Sequence, residues 1–273
     1  GARAFDADFM SRVYEKAFTV ESLPLSAAPK AYSCAQAVGR NLDGCRIGFD
    51  AGGSDRKVSA VVDGVPVYSE EIVWYPKTNS DPDYHYEGIL AAFKSAASKM
   101  PRVDAIGVSS AGIYVDNRAM VASLFLQVPR DAFDKKVKDI YIRAAKEFGD
   151  VPLQVANDGD VTALAGAMSL EENRILGIAM GVKYFSQDSV IKLAPRAGIA
   201  LEESLSPAEK LKVVQGQMEA GSEAARDIYR SIGVYLGHTL AYYAAFYDVA
   251  HVLLLGRVMS GEGGDIVIAE ARR

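Results

Sequence analysis

The pattern of apolar and polar positions changes sharply at Cys45. Residues 1–45 show weak periodicity and a Pro/Ser/Ala-rich middle from Ser22 to Ser33, which predicts an extension carrying one short helix near Phe9–Phe18. Beyond it, apolar runs bounded by turn residues predict strands over Cys45–Asp50, Lys57–Val62 and Val65–Trp74. Asp63-Gly64 is a two-residue hairpin signal between the second and third. Pro66 places the start of the third strand at a sheet edge, because proline donates no ladder hydrogen bond. Glu87–Met100 reads as a helix with Ile89, Leu90, Phe93, Ala96 and Ala97 on one face. Val103–Ser109 lacks alternation, as expected for a strand buried on both sides.

Three antiparallel strands, a helix and another strand open a ribonuclease-H-like half. A second run follows. Asp131–Phe148 is amphipathic and stopped by Gly149, Leu153–Ala156 is a strand, and Asp160–Leu170 is a small-residue helix. Ile175–Met180 predicts another strand. Ser206-Pro207-Ala208-Glu209 is a capping box with proline at the first helical position. A long helix then runs from Gly221-Ser222 to about Asp248, and His251–Gly256 closes with a strand. The layout predicts an α/β chain of two similar halves. Its divisions are an extension over 1–45, a first domain over 46–124 and a second over 125–273.

Composition narrows the classes. The 273 residues carry a formal charge of -5 and no basic stripe, which argues against a nucleic-acid surface. The Tyr/Ala-rich run Ile232–Ala250 approaches membrane-span length, but it carries His238 and Asp248 and reads as a buried core helix. No membrane partner is therefore expected. Two cysteines, Cys34 and Cys45, fit a reduced compartment and make no metal cluster alone, so no structural zinc and a cytoplasmic location are expected.

Candidate chemistry gathers at strand ends. Asp50-Ala51-Gly52-Gly53-Ser54 is a strand running into an acidic residue and a glycine turn. One reading is a tight hairpin with an incidental aspartate. The other is a phosphate loop, because a turn without Cβ atoms lets backbone amides close on an anion while the carboxylate holds a divalent cation. Asn157-Asp158 ends a strand just before a helix, where ligands of open α/β sheets collect. Asp158 serves there as a helix cap or as a general base. The strand Leu253–Leu255 enters a loop at Gly256-Arg257, and Ile178-Ala179-Met180-Gly181 ends in a glycine that could open onto phosphates. His85, His238 and His251 organise no site and read as structural.

In order, Asp-x-Gly-Gly-Ser, Asn-Asp, strand-Gly and Leu-Leu-Gly-x-Val-x-Ser resemble the ROK family of sugar kinases, within the actin/hexokinase-like ATPase superfamily. The resemblance covers roughly residues 46–265. Ala105 to Asp116 also resembles the family's Gly-x-Gly-x-Val-Asp segment. The resemblance implies two ribonuclease-H-like domains around a central cleft, ATP and Mg²⁺ as cofactors, a sugar as phosphoryl acceptor, and a homodimer as the common assembly. It implies that Asp50, Gly52, Gly53, Ser54 and Gly181 meet the phosphates, with Asp50 holding Mg²⁺ indirectly. Asn157, Ser110 and Gly112 would contact the sugar, Asp158 would be the catalytic base, and Gly256 and Arg257 would face adenosine.

Two departures qualify what the resemblance implies. The family's Gly-Glu-x-Gly-His stretch, which supplies a Glu and a His to the sugar, and its cysteine-rich zinc loop are both missing. Gly181 runs directly into Val182-Lys183-Tyr184, where the family continues into a glycine-rich hairpin. Either the second site has decayed or a hairpin is absent between Gly181 and Val182. A sugar- or nucleotide-binding sensor of the same fold is therefore the alternative to a kinase.

Overall fold

The computed structural model describes residues 3–30, 41–180 and 184–273. Gly181 thus lies outside the described residues, as does Cys34. Two compact units divide the chain, Gly1–Asn157 and Asp158–Arg273.

The first unit is built on a five-stranded sheet of order β3-β2-β1-β4-β7. The strands are β1 (Cys45–Ala51), β2 (Asp55–Val62), β3 (Val65–Val73), β4 (Ala105–Ser110) and β7 (Leu153–Ala156), with the hairpin β5 (Gly112–Val115) and β6 (Arg118–Ala122) forming a separate pair. β1 to β3 run antiparallel, while β4 and β7 add parallel to β1. Asp63 and Gly64 both adopt positive φ, the geometry of a primed hairpin turn. Pro66 sits on the edge strand, as its missing donor requires.

Helix α1 (Ala4–Tyr14) packs on β6 and buries Val13. It lies earlier than the helix expected near Phe9–Phe18. Glu15 follows it in the left-handed region and bonds Lys138 at 2.6 Å and Arg118 at 3.0 Å. Helix α2 (Pro82–Ala97) starts with Asp81, whose side chain accepts from the Asp83 amide at 2.9 Å. It lays Ile89, Phe93 and Ala96 against the sheet, where Phe93 meets Phe49 edge-on. The single amphipathic helix expected over Asp131–Phe148 is broken. Helix α3 (Arg130–Ala132) passes through a π turn at Phe133–Val137 before helix α4 (Ile140–Lys146). The Lys138 amide reaches back to the Phe133 carbonyl at 3.0 Å, and the wider turn keeps Phe133, Val137, Ile140 and Tyr141 all buried.

This arrangement moves the division of the chain. The sequence reading placed it between 124 and 125, but α4 and β7 complete the first unit and the division falls after Asn157.

The second unit holds helix α5 (Asp158–Leu170), strand β8 (Ile175–Ala179), helices α6 (Gln187–Leu193), α7 (Pro207–Glu219) and α8 (Glu223–Ala244), strand β9 (His251–Leu255) and helix α9 (Glu262–Ala271). β8 and β9 form a parallel pair, the one sheet of this unit among the described residues. Ser206 and Glu209 close the expected capping box. Val214, Met218, Tyr229, Ile232, Leu236 and Val267 form the core. Gly233 and Gly237 let the α9 backbone approach α8 closely, since a Cβ on either would lie within 3 Å of it.

The run Ile232–Ala250 is not a buried helix throughout. Burial ends at Leu236, and Tyr235, Tyr242, Phe246 and Tyr247 are each more than 60% exposed. His238 and His251 are exposed too, whereas His85 is fully buried in α2. Among the described residues, no helix is long and apolar enough to cross a membrane.

Candidate functional site

Register brings the first unit's candidates to one edge. Asp50 pairs with Ser109 and Ala51 with Ser110 across β1–β4, while Ser109 pairs with Ala156 across β4–β7. The C-terminal ends of three parallel strands therefore coincide: Asp50 lies level with Ser109 and Ala156, one residue before Ser110 and Asn157. Strand ends of this kind expose backbone groups that no longer have a ladder partner, which suits them to hold a ligand.

The turn after β1 is built from both sides. Trp74, the chain's single tryptophan, is buried and donates its indole N–H to the Gly52 carbonyl at 2.7 Å. Its amide bonds the Ser54 carbonyl at 3.2 Å. A Cβ on Gly52 would lie 2.5 Å from the Asp55 carbonyl oxygen, so the close turn requires glycine there. Gly53 faces the Lys77 side chain instead, whose Nζ lies 2.7 Å from where a Cβ would be. Asp55 is 3% exposed and accepts from Lys57 Nζ at 2.6 Å and Ser54 Oγ at 3.1 Å. The Ser54 hydroxyl is thus directed to Asp55 in this structure.

Trp74, Asp55 and Lys77 were not read as site residues in the sequence. The lone tryptophan ending a strand was a usable signal. Asp55 and Lys77 gain their places through tertiary contacts that no local pattern shows.

Ser110, expected at the sugar, lies beneath the strand ends. It is fully buried, and its Oγ accepts from the Tyr114 hydroxyl at 2.7 Å and the Tyr141 hydroxyl at 3.1 Å. It is a hydrogen-bonded hub there. Gly112 is needed for packing, because a Cβ would meet the Val121 carbonyl at 2.6 Å. Its own carbonyl accepts from Asn157 Nδ2 at 2.7 Å and so orients that amide. Asn117, in the β5–β6 turn, covers the free edge of β7 by accepting from the Val155 amide at 2.7 Å and donating to the Leu153 carbonyl at 2.9 Å.

In the second unit Asp158 opens α5, with Asp160 in the same first turn. Both carboxylates favour the positive end of the helix dipole. Thr162, buried, donates to the Asp158 main-chain carbonyl at 2.7 Å. Gly177 in β8 packs against the Gly159 carbonyl and Ala163, which explains the small residues of α5. Gly256 follows β9 at φ +145° beside Met180, where a Cβ would lie 2.9 Å from the Met180 Cβ. Arg257 is exposed, and its carbonyl accepts from Gln215 Nε2 at 3.4 Å.

The donors at the turn fit a small hard cation held mostly by water and phosphate. Among the described residues no group of three His, Cys, Asp or Glu side chains converges as a metal cage. Magnesium in nucleotide sites takes one or two carboxylates and keeps several waters, and Asp50 meets that requirement.

Solved structures share this architecture. A ROK family glucokinase from Streptomyces griseus, solved with glucose and AMPPNP, matches with a TM-score of 0.63 at 18% identity, over 84% of this chain and 88% of that one. The chain has the fold of the ROK sugar kinases. A ROK hexokinase from Thermus thermophilus matches with a TM-score of 0.52 at 15% identity, over 84% and 88%. The ROK fold also serves a transcriptional regulator homologous to the E. coli MLC protein, which matches with a TM-score of 0.63 at 14% identity, over 85% and 69%. No family model matches the chain, and no curated protein matches it by sequence. At these identities the likeness is one of fold, and a ROK fold alone does not separate a kinase from a regulator.

Proposed function

We propose that the protein transfers a phosphoryl group from ATP to a sugar hydroxyl. The observation that carries this reading is the glycine turn after Asp50, braced by Trp74 and opening at the common end of three parallel strands. A ROK fold around such a turn supports nucleotide binding.

In this reading the amides of Gly52 and Gly53 bind phosphate oxygens, and Asp50 holds Mg²⁺ through its water shell. When bound, the cation would neutralise charge on the phosphates. Asn157, aimed by the Gly112 carbonyl, binds a sugar hydroxyl. Asp158 accepts the proton of the attacking hydroxyl, leaving its oxygen free to bond to phosphorus as the bond to ADP breaks. Gly256 and Arg257 pack against adenosine. Catalysis on this scheme is positioning and electrostatics, with no covalent intermediate on the protein.

A screen for ADP release from Mg-ATP, run against hexoses and N-acetylated hexosamines, tests the proposal. Release dependent on one sugar class is expected. A second reading, a sugar- or nucleotide-binding sensor, is favoured by the regulator among the structural neighbours and by the missing Gly-Glu-x-Gly-His stretch. Calorimetric sugar binding with no ADP release from any sugar would establish that reading over the first.

A further inference from the structure

We infer that Lys77 is a phosphate-binding residue of the Asp50 turn; this rests on that turn being the nucleotide phosphate site. Among the described residues, three cations lie around it. Lys57 is committed to Asp55 at 2.6 Å and lies 3.9 Å from Glu71. Arg56 stacks over the Trp74 ring, 5.7 Å from its centroid. Lys77 has no carboxylate within ion-pair distance among the described residues, and it is exposed. An ammonium without a protein carboxylate remains available to an anionic ligand.

The backbone beneath Lys77 holds it in place. It sits in the middle of the short 3-10 turn Pro76–Thr78, directly after buried Trp74 and buried Pro76. The His85 ring ties this turn to α2 and to the β6 exit. Its Nε2 lies 2.9 Å from the Pro76 carbonyl and 3.2 Å from the Leu124 carbonyl, and its Nδ1 lies 2.8 Å from the Asp81 carbonyl. From that anchored segment the Lys77 side chain crosses the face of Gly53, with Cε and Nζ occupying the space of the absent Cβ. The same tryptophan that braces Gly52 therefore leads into the residue whose ammonium covers Gly53. A glycine turn supplies N–H dipoles to a phosphate, and Lys77 adds a full charge at the same place.

Lysine suits this place. Its ammonium is a compact charge with three rotatable donors on a flexible stem, so it can follow a terminal phosphate that moves during transfer. The inferred contact is to the terminal phosphates, which AMP lacks.

Calorimetry on the full chain with Mg-ATP and with AMP tests the inference. Lys77→Ala is expected to weaken Mg-ATP roughly tenfold, the share of one charge-assisted hydrogen bond, and to leave AMP affinity unchanged. Lys77→Arg is expected to keep Mg-ATP affinity within about threefold, since the charge remains. Equal Mg-ATP binding by Lys77→Ala and the parent chain would overturn the role of Lys77 while leaving the nucleotide site intact. Parallel loss of AMP would also overturn it, because the effect would then be general to the fold. Absence of Mg-ATP binding by the parent chain would overturn the phosphate reading, and this inference with it.

Discussion

The Trp74 indole donates its N–H to the Gly52 carbonyl at 2.7 Å, so the residue just after β3 fixes the turn that follows β1. Trp74→Phe keeps most of the buried ring and removes only this donor. The Gly52 carbonyl loses a partner, at a cost of about 1 kcal/mol. Thermal unfolding should register that small loss. Mg-ATP binding should weaken more than stability suggests, because the turn loses its orientation. Unchanged nucleotide affinity in a folded Trp74→Phe protein would show that the brace is structural alone.

The two glycines of the turn should respond differently to alanine. At Gly52 a Cβ meets backbone, the Asp55 carbonyl at 2.5 Å, which cannot move without disturbing the start of β2. Gly52→Ala should destabilise the first unit by about 1–3 kcal/mol. At Gly53 the Cβ meets the flexible end of Lys77. Gly53→Ala should fold within about 0.5 kcal/mol of the parent, yet weaken Mg-ATP by displacing that ammonium. Chemical denaturation beside calorimetry separates the two, and equal destabilisation by both changes would contradict the geometry.

How far the sequence disclosed all this depends on locality. β1 to β3 were legible because alternation and Asp63-Gly64 act over a few residues, and the Ser206–Glu209 box acts over one turn. The β5–β6 hairpin was not, since its strands are short and its turn is Asp116-Asn117, both at positive φ without a glycine to advertise it. The unit boundary was missed because β7 joins β4 through a parallel pairing distant in sequence. At the site, Asp50 and Asn157 stood out as motif residues. Ser110 did not show its burial, and Lys77 lay in a loop whose only visible traits were a proline and a charge.

Alkaline pH should expose the core of the second unit. Burial pushes the Tyr229 hydroxyl up to about 12, and Gln215 offsets that only in part. An unfolded tyrosine ionises near 10, so the folded state holds the phenolic proton more tightly. Its contribution is therefore complete below about pH 10 and is lost as pH rises toward 12, amounting to on the order of 2–3 kcal/mol. Tyr229→Phe carries no such proton. Its stability should fall less steeply across that window, measured by denaturant midpoints at pH 9, 10 and 11. Parallel curves for the two proteins would contradict burial as the cause.

Asp158 separates catalysis from architecture. Asp158 opens α5, and the hydrogen bond from buried Thr162 goes to its main-chain carbonyl, which any residue supplies. Asn is also accepted at helix starts. Asp158→Asn should therefore fold with the parent's thermal midpoint and still bind sugar. A general base contributes about 10²–10⁴ in rate, so kcat for ADP release should fall by that factor with little change in KM. Loss of sugar affinity with kcat intact would make Asp158 a binding group. Full turnover by Asp158→Asn would remove it from the mechanism altogether, leaving Asn157 and the Asp50 turn to account for activity without a carboxylate base.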